Sequence, residues 1–168
     1  MNLAHVHLAL NHFPVIGIVF SFLLLATSMV KRSEELQKVS LGAFLTTALL
    51  TVPVYFTGEP AEEIVEHLPG VSKPFIEQHE EAALISLIVI EILGVMSIGG
   101  LLFFRRLGLI PHWFIAASLV LSIVSMGLMV WTANLGGQIH HPETRADFTS
   151  PSTNEVKTDV REGSETEK

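Results

Sequence analysis

Residues 82–104 read AALISLIVIEILGVMSIGGLLFF, a run of 23 residues with a single charged side chain, Glu91. Helix rises 1.5 Å per residue, so about 20 apolar residues cross a hydrocarbon core about 30 Å thick. The run therefore predicts a transmembrane helix. Three further stretches meet the same requirement: His12–Val30, Val39–Thr57 and Pro111–Leu135. Polar clusters separate them: Lys31-Arg32-Ser33-Glu34-Glu35, the acidic loop Gly58–Glu81, Arg105-Arg106, and the Gly136-Gly137 pair. Short connections make consecutive spans antiparallel. The expected fold class is all-α, a polytopic membrane protein built as a four-transmembrane-helix up-down bundle over residues 1–141. Residues 142–168 hold only Ala146, Phe148, Val156 and Val160 as apolar side chains and predict a disordered polar tail.

Composition narrows the chemistry. Hydrophobic residues make up 49% of the chain and charged residues 16%. The net charge of −7 divides into −4 over 1–141 and −3 over 142–168, with no basic block, so nucleic acid is not an expected partner. The absence of cysteine excludes disulfides, thiolate zinc sites, Cys-ligated iron–sulfur clusters, covalent c-type haem and a thiol nucleophile. Metal chemistry would have to use histidine, carboxylate or methionine. The chain also lacks a Gly-x-Ser-x-Gly elbow, a glycine-rich phosphate loop and a His-Glu-x-x-His helix. An electron-transfer or accessory subunit is thus expected rather than a stand-alone enzyme.

Charge asymmetry gives an orientation. The connections after spans one and three carry Lys31, Arg32, Lys38, Arg105 and Arg106, whereas the long middle connection carries only Lys73. By the positive-inside rule both termini face outward, which in a bacterial inner membrane is the periplasm. Residues 1–11 lack Lys and Arg and no small-residue cleavage site follows Val30, so the first span is expected to remain in the mature protein. In the acidic loop, Pro60–Leu68 reads as a short amphipathic helix stopped by Pro69-Gly70, followed by a turn leading into span three.

On this topology His5, His7, His12, His67, His79, His140 and His141 fall at the outer face, and only His112 at the inner one. His5 and His12 are seven residues apart, nearly on one helical face. His79 introduces span three and His140-His141 close span four. Neutral imidazole is the commonest ligand of zinc, copper and iron, and two imidazoles from different helices can hold a b-type haem without covalent attachment. His12 and His79 form the first expected ligand pair, followed by His140 and His7. For a metal ion the expected set is His12, His79, His140, His141 and His5. Haem b is the expected cofactor, with copper or zinc, or no cofactor at all, as the alternatives.

The run His7-Leu8-Ala9-Leu10-Asn11-His12-Phe13-Pro14 resembles the His-x-x-x-x-His-Phe-Pro opening of a family of small four-helix bacterial inner-membrane proteins without an assigned function. His79 and the ending Gly136-Gly137-Gln138-Ile139-His140-His141 are similar to that family too, so the resemblance spans about residues 5 to 141. Relatives often carry Pro after the first His, where this chain has Leu8. Some relatives are joined to Rieske-type domains, which implies electron transfer with larger membrane or periplasmic redox proteins.

Two features inside the spans remain. Glu91 lies near the bilayer midplane, where an ionised carboxylate is costly. It is expected to face the bundle interior or a partner, either as a proton relay or hydrogen-bonded to Thr46, Thr47 or a span-four serine. Gly94, Ser97 and Gly100, with Ser118, Ser122, Ser125 and Thr132, mark faces suited to close helix packing. The alternatives to electron transfer are a structural or assembly subunit of a larger membrane complex and, behind it, a small carrier built around Glu91. A homo-oligomer is compatible with all three.

Overall fold

The computed structural model describes residues 3–67 and 71–145, apart from the side chains of His140 and Pro142. In chain order the helices are α1 (Leu3–Leu10), α2 (His12–Lys31), α3 (Glu34–Phe56), α4 (Gly58–Val65), α5 (Lys73–Leu107) and α6 (His112–His140), followed by a 3-10 turn, Pro142–Thr144. The turns are set by local chemistry. Arg32 takes a left-handed conformation (φ 51°) that ends α2. The Ser33 hydroxyl then accepts from the Leu36 amide, with Glu34 and Glu35 in the positive first turn of α3. Gly108, at φ 74°, ends α5, and Pro111 precedes α6.

Helices α2, α3, α5 and α6 form a closed ring in which each packs on its two neighbours in chain order and α6 returns to α2. The short α1 packs on α4 at the end of the bundle that also holds the C-terminus of α6. Four stretches are long and apolar enough to cross a membrane: Leu3–Lys31, Glu34–Val65, Lys73–Leu107 and His112–Ile139. The chain is a multi-pass membrane protein.

Its side chains are sorted accordingly. Ile16, Val95 and Trp113 are about two-thirds exposed (66%, 68% and 67%), while Ser21, Ser86, Ser97, Ser118 and Ser122 are fully buried. Large apolar groups face the hydrocarbon and small ones face the neighbouring helix. Most buried hydroxyls donate to a carbonyl of their own helix, as Ser97 does to Leu93 (2.8 Å) and Ser118 to Phe114 (2.9 Å). Their donors are thereby satisfied without a partner across the interface. The helices approach closely as a result. A methyl group at Gly94 would stand 2.5 Å from the Ala48 Cβ, and one at Gly100 would stand 2.7 Å from Leu41 Cδ1 and from Phe114 Cε1. Ile18, Leu25, Phe44, Ile90, Leu93 and Met129 belong to the apolar core between these contacts.

Three expectations on local structure are corrected. The turn before Ala82 is not formed, because α5 begins at Lys73, with Pro74 in its first turn and the Phe75 amide bonded to the Ser72 carbonyl (3.1 Å). His79 therefore stands two turns inside a helix. The amphipathic helix of the acidic segment is Gly58–Val65 rather than Pro60–Leu68. The tail does not begin at residue 142: Arg145 donates to the Gln138 carbonyl (2.9 Å) and the Ile139 carbonyl (3.3 Å) and stacks on Phe75 at 4.8 Å, which ties Pro142–Thr144 to the bundle. The expected disorder beyond Arg145 lies outside the described residues.

Gly94→Val is expected to destabilise the bundle by about 1–3 kcal/mol through overpacking. Gly127→Val, where a Cβ meets nothing within 4 Å, should be tolerated. Thermal unfolding in detergent followed by circular dichroism compares the two; equal melting temperatures would contradict the packing described.

Candidate functional site

A cavity of about 650 Å³ opens at the end of the bundle where α1 and α4 pack together, and it reaches down between α2, α3, α5 and α6 as far as Val15, Thr51, Ala83 and Met129. That volume lies within the range of small-molecule and cofactor sites, about 300–1,000 Å³. Its polar wall comes mainly from His7, Asn11, His12, His79 and Thr132, and its rim from Glu59, Glu62, Glu80 and His141.

Two imidazoles on this wall are held by backbone. His7 is half-buried on α1, and its Nδ1 lies 3.1 Å from the Val54 carbonyl and 3.2 Å from the Thr57 hydroxyl. Val54 belongs to the last turn of α3, and its carbonyl also accepts from the Thr57 hydroxyl (2.8 Å). His79 is half-buried on α5, and its Nδ1 lies 2.9 Å from the Thr132 carbonyl on α6. A carbonyl oxygen only accepts, so each Nδ1 carries the proton, and in the neutral ring each Nε2 is left as a bare lone pair. The two rings are near enough to act on one another electrostatically. This arrangement, with one ring nitrogen fixed by a carbonyl and the other free, is how metal-binding histidines are oriented.

The local sequence explains why His79 can reach its partner. In a helix the Thr132 carbonyl faces the amide of residue 136, so a second donor must approach beside that residue. Residue 136 is glycine, and a methyl group there would lie 3.0 Å from His79 Cε1 and 3.3 Å from Nδ1. Gly136 thus clears the space the ring occupies. The Thr132 hydroxyl meets Ser86 at 2.9 Å, a side-chain hydrogen bond that joins α6 to α5 one turn below. Below His7, Asn11 stands one helical turn on, with its Oδ1 buried and without a hydrogen-bond partner.

The other expected ligands are distributed as follows. His12 lines the cavity and is exposed. His141 lines the rim, exposed, with its Nδ1 2.9 Å from a Glu143 oxygen. The Glu143 carboxyl is held below the usual carboxylate range by a hydrogen bond from its own amide and by His141. His5 is exposed and His67 is exposed with its Nδ1 3.0 Å from the Glu63 carbonyl; neither lines the cavity. His112 begins α6 at the opposite end. His140 ends α6, and its side chain lies outside the described residues. Among the described residues no three His, Asp or Glu side chains are grouped to hold a metal ion. Glu91 does not line the cavity; it stands twelve residues along α5 from His79, about 18 Å away by helical rise. The hydrogen bond expected from Thr46 or Thr47 is absent, because these hydroxyls donate to the Gly42 and Ala43 carbonyls.

No protein-family model, no curated protein and no solved structure matches the chain. The site therefore rests on its own geometry. Sequence reasoning treated Gly136 as the end of a span, gave Thr132 to a close-packing face rather than to the site, and assigned Asn11 no role. The available signals were the four-residue spacings His7–Asn11 and Thr132–Gly136, each of which puts two residues on one side of a helix.

Gly136→Ala is expected to displace His79 from the Thr132 carbonyl, whereas Gly137→Ala, with nothing within 4 Å of its Cβ position, should leave it in place. Imidazole ¹⁵N NMR reads the outcome: a protonated Nδ1 at His79 in the wild type and in Gly137→Ala, and a mixed tautomer in Gly136→Ala. The same Nδ1–H form in all three would contradict the role given to Gly136.

Proposed function

We propose that the protein is an integral membrane electron-transfer subunit whose cavity holds a histidine-ligated redox centre. The observation that carries this reading is the presence of two imidazoles, His7 and His79, on one cavity wall, each with Nδ1 anchored and Nε2 free. The donor set fits the group. His7 and His79 would be the protein's two ligands to a b-type haem, which needs no further protein donors. Copper or zinc would need further protein donors, and among the described residues no three His, Asp or Glu side chains are grouped to supply them. Haem b is accordingly the first choice and copper or zinc the second.

When bound, the group would supply one-electron exchange. The chain's own part is to hold and to shield. The Val54 and Thr132 carbonyls fix the ring orientations and, by accepting from Nδ1, make each Nε2 more basic. Val15, Met129 and Ile139 line the wall with apolar surface that limits water. The acidic rim of Glu59, Glu62 and Glu80 makes the mouth attractive to positive charge. The asymmetry of Lys and Arg among the connections supports an outward-facing cavity with both termini in the periplasm of a bacterial inner membrane. The His-x-x-x-x-His-Phe-Pro and Gly-Gly resemblance supports the same placement and larger redox proteins as partners.

His7→Ala and His79→Ala are each expected to lose the cofactor, while His67→Ala and His112→Ala retain about one metal centre per chain. Visible spectra and metal analysis of detergent-purified protein, with helicity checked by circular dichroism, provide the test. Retention in both His7→Ala and His79→Ala would overturn the ligand assignment. Wild-type protein without haem or stoichiometric metal would move the function to a structural or assembly subunit.

A further inference from the structure

Thr57 closes α3 and immediately precedes α4. A threonine ahead of a helix commonly turns its hydroxyl to the first free amides of that helix, a cap worth about 1 kcal/mol. Thr57 does not cap α4. Its backbone stays in the right-handed helical region (φ −89°, ψ −5°), and its hydroxyl turns back into α3 to donate to the Val54 carbonyl at 2.8 Å. Back-bonding of this kind is ordinary in the bundle, as from Thr27 to Leu23 (2.7 Å) and from Ser28 to Leu25 (2.6 Å). What sets Thr57 apart from these two is the imidazole beside it: His7 Nδ1 lies 3.2 Å from the same hydroxyl oxygen.

The hydrogens of this cluster can be placed. The Thr57 hydroxyl spends its hydrogen on the Val54 carbonyl, and a carbonyl only accepts, so the hydrogen that faces both oxygens is the one on His7 Nδ1. At 3.1 Å from the Val54 carbonyl and 3.2 Å from the Thr57 hydroxyl, the two oxygens share it in a three-centre bond. His79 is held differently. Its Nδ1 meets the Thr132 carbonyl at 2.9 Å, while the Thr132 hydroxyl pairs with Ser86 instead. A threonine hydroxyl thus joins the anchoring of one imidazole and stays out of the other.

We infer that Thr57 is a positioning residue of the redox site: its hydroxyl oxygen, as second acceptor for the His7 Nδ1–H, fixes the ring and strengthens Nε2 as a ligand, which lowers the midpoint potential. The inference rests on the histidine-ligated reading of the cavity. The partner of a ligating histidine's far N–H sets both the orientation of the ring and its basicity, and losing such a partner typically costs 10–100-fold in metal affinity. A more basic ligand favours the higher positive charge of the oxidised metal, and hydrogen bonding beyond the ligands is one of the means by which a protein tunes a haem. Thr57 also has the right place for this role. His7 lies on α1, so the contact ties that roof helix to the joint between α3 and α4.

Thr57→Val keeps the shape of the side chain and removes the hydroxyl, whereas Thr57→Ser keeps the hydroxyl. Two readings in detergent compare them, with helicity checked by circular dichroism: imidazole ¹⁵N NMR of the cofactor-free protein and redox titration of the protein loaded with haem b. Thr57→Val should shift the His7 Nδ1 resonance and weaken haem b binding about tenfold. It should also move the midpoint potential upward, by about 59 mV for a tenfold change in the one-electron equilibrium. Thr57→Ser should restore all three to the wild-type values. Thr27→Val, which removes a back-bonded hydroxyl on an exposed part of α2, should change none of them. A Thr57→Val protein that binds haem b at the wild-type potential would overturn the inference and leave the redox reading standing, as would a Thr57→Ser protein that fails to restore the potential. A wild type that takes up no haem b would overturn the haem reading and the inference with it.

Discussion

A bilayer gives helices no hydrophobic reason to leave lipid for one another, because lipid tails are as apolar as leucine. Contact inside this protein therefore depends on residues small enough for backbones to meet. Gly17 against Thr47, Gly94 against Ala48 and Gly100 against Leu41 and Phe114 are the places where any added Cβ would collide. These close approaches bring the dispersion and polar contacts that substitute for hydrophobic burial. The buried serines serve the same end, being nearly as small as alanine and satisfied within their own helix.

The cavity follows from that constraint at the end of the bundle where it is relaxed. Tight crossing near Gly94 and Gly100 gives way, toward the C-terminus of α6, to a space that α1 and α4 cover and that imidazoles enter. Gly136 acts as the packing glycines do, but what it admits is the ring of His79 rather than a neighbouring backbone. Backbone carbonyls then set the chemistry. By taking the proton-bearing nitrogens of His7 and His79 they leave the other two nitrogens as acceptors, so the wall presents lone pairs to whatever it binds. Metal ions answer that description, as does the iron of a haem.

Much of this was legible in the sequence and some was not, for reasons that can be located. Four apolar runs are long enough to be unambiguous, and the small faces of α5 and α6 follow simple three- and four-residue spacing, as Gly94, Ser97, Gly100, Ser118, Ser122 and Ser125 do. Which histidine turns inward is decided by about 100° per residue, a rotation that the sequence alone does not fix for α1. His7 and Asn11 share a side of the chain, while His12 is rotated to a more exposed position. The inner end of the acidic loop was read as a turn because charges obscure periodicity, whereas Pro74 starts a helix there. Glu91 was expected to face the bundle interior or a partner; it stands half-buried, with its Oε1 enclosed. The partners of His7 and His79 are backbone carbonyls, which no side-chain pattern reveals.

The central claim is that imidazoles from two different helices bind one redox centre in the cavity. Pulsed electron paramagnetic resonance on the oxidised, cofactor-loaded protein, with selectively ¹⁵N-labelled histidine, measures this most directly by counting the imidazoles coupled to the metal. The account predicts two coupled imidazoles, reduced to one or none in His7→Ala and in His79→Ala. A single coupled imidazole in the wild type, or couplings that survive unchanged in both variants, would contradict it.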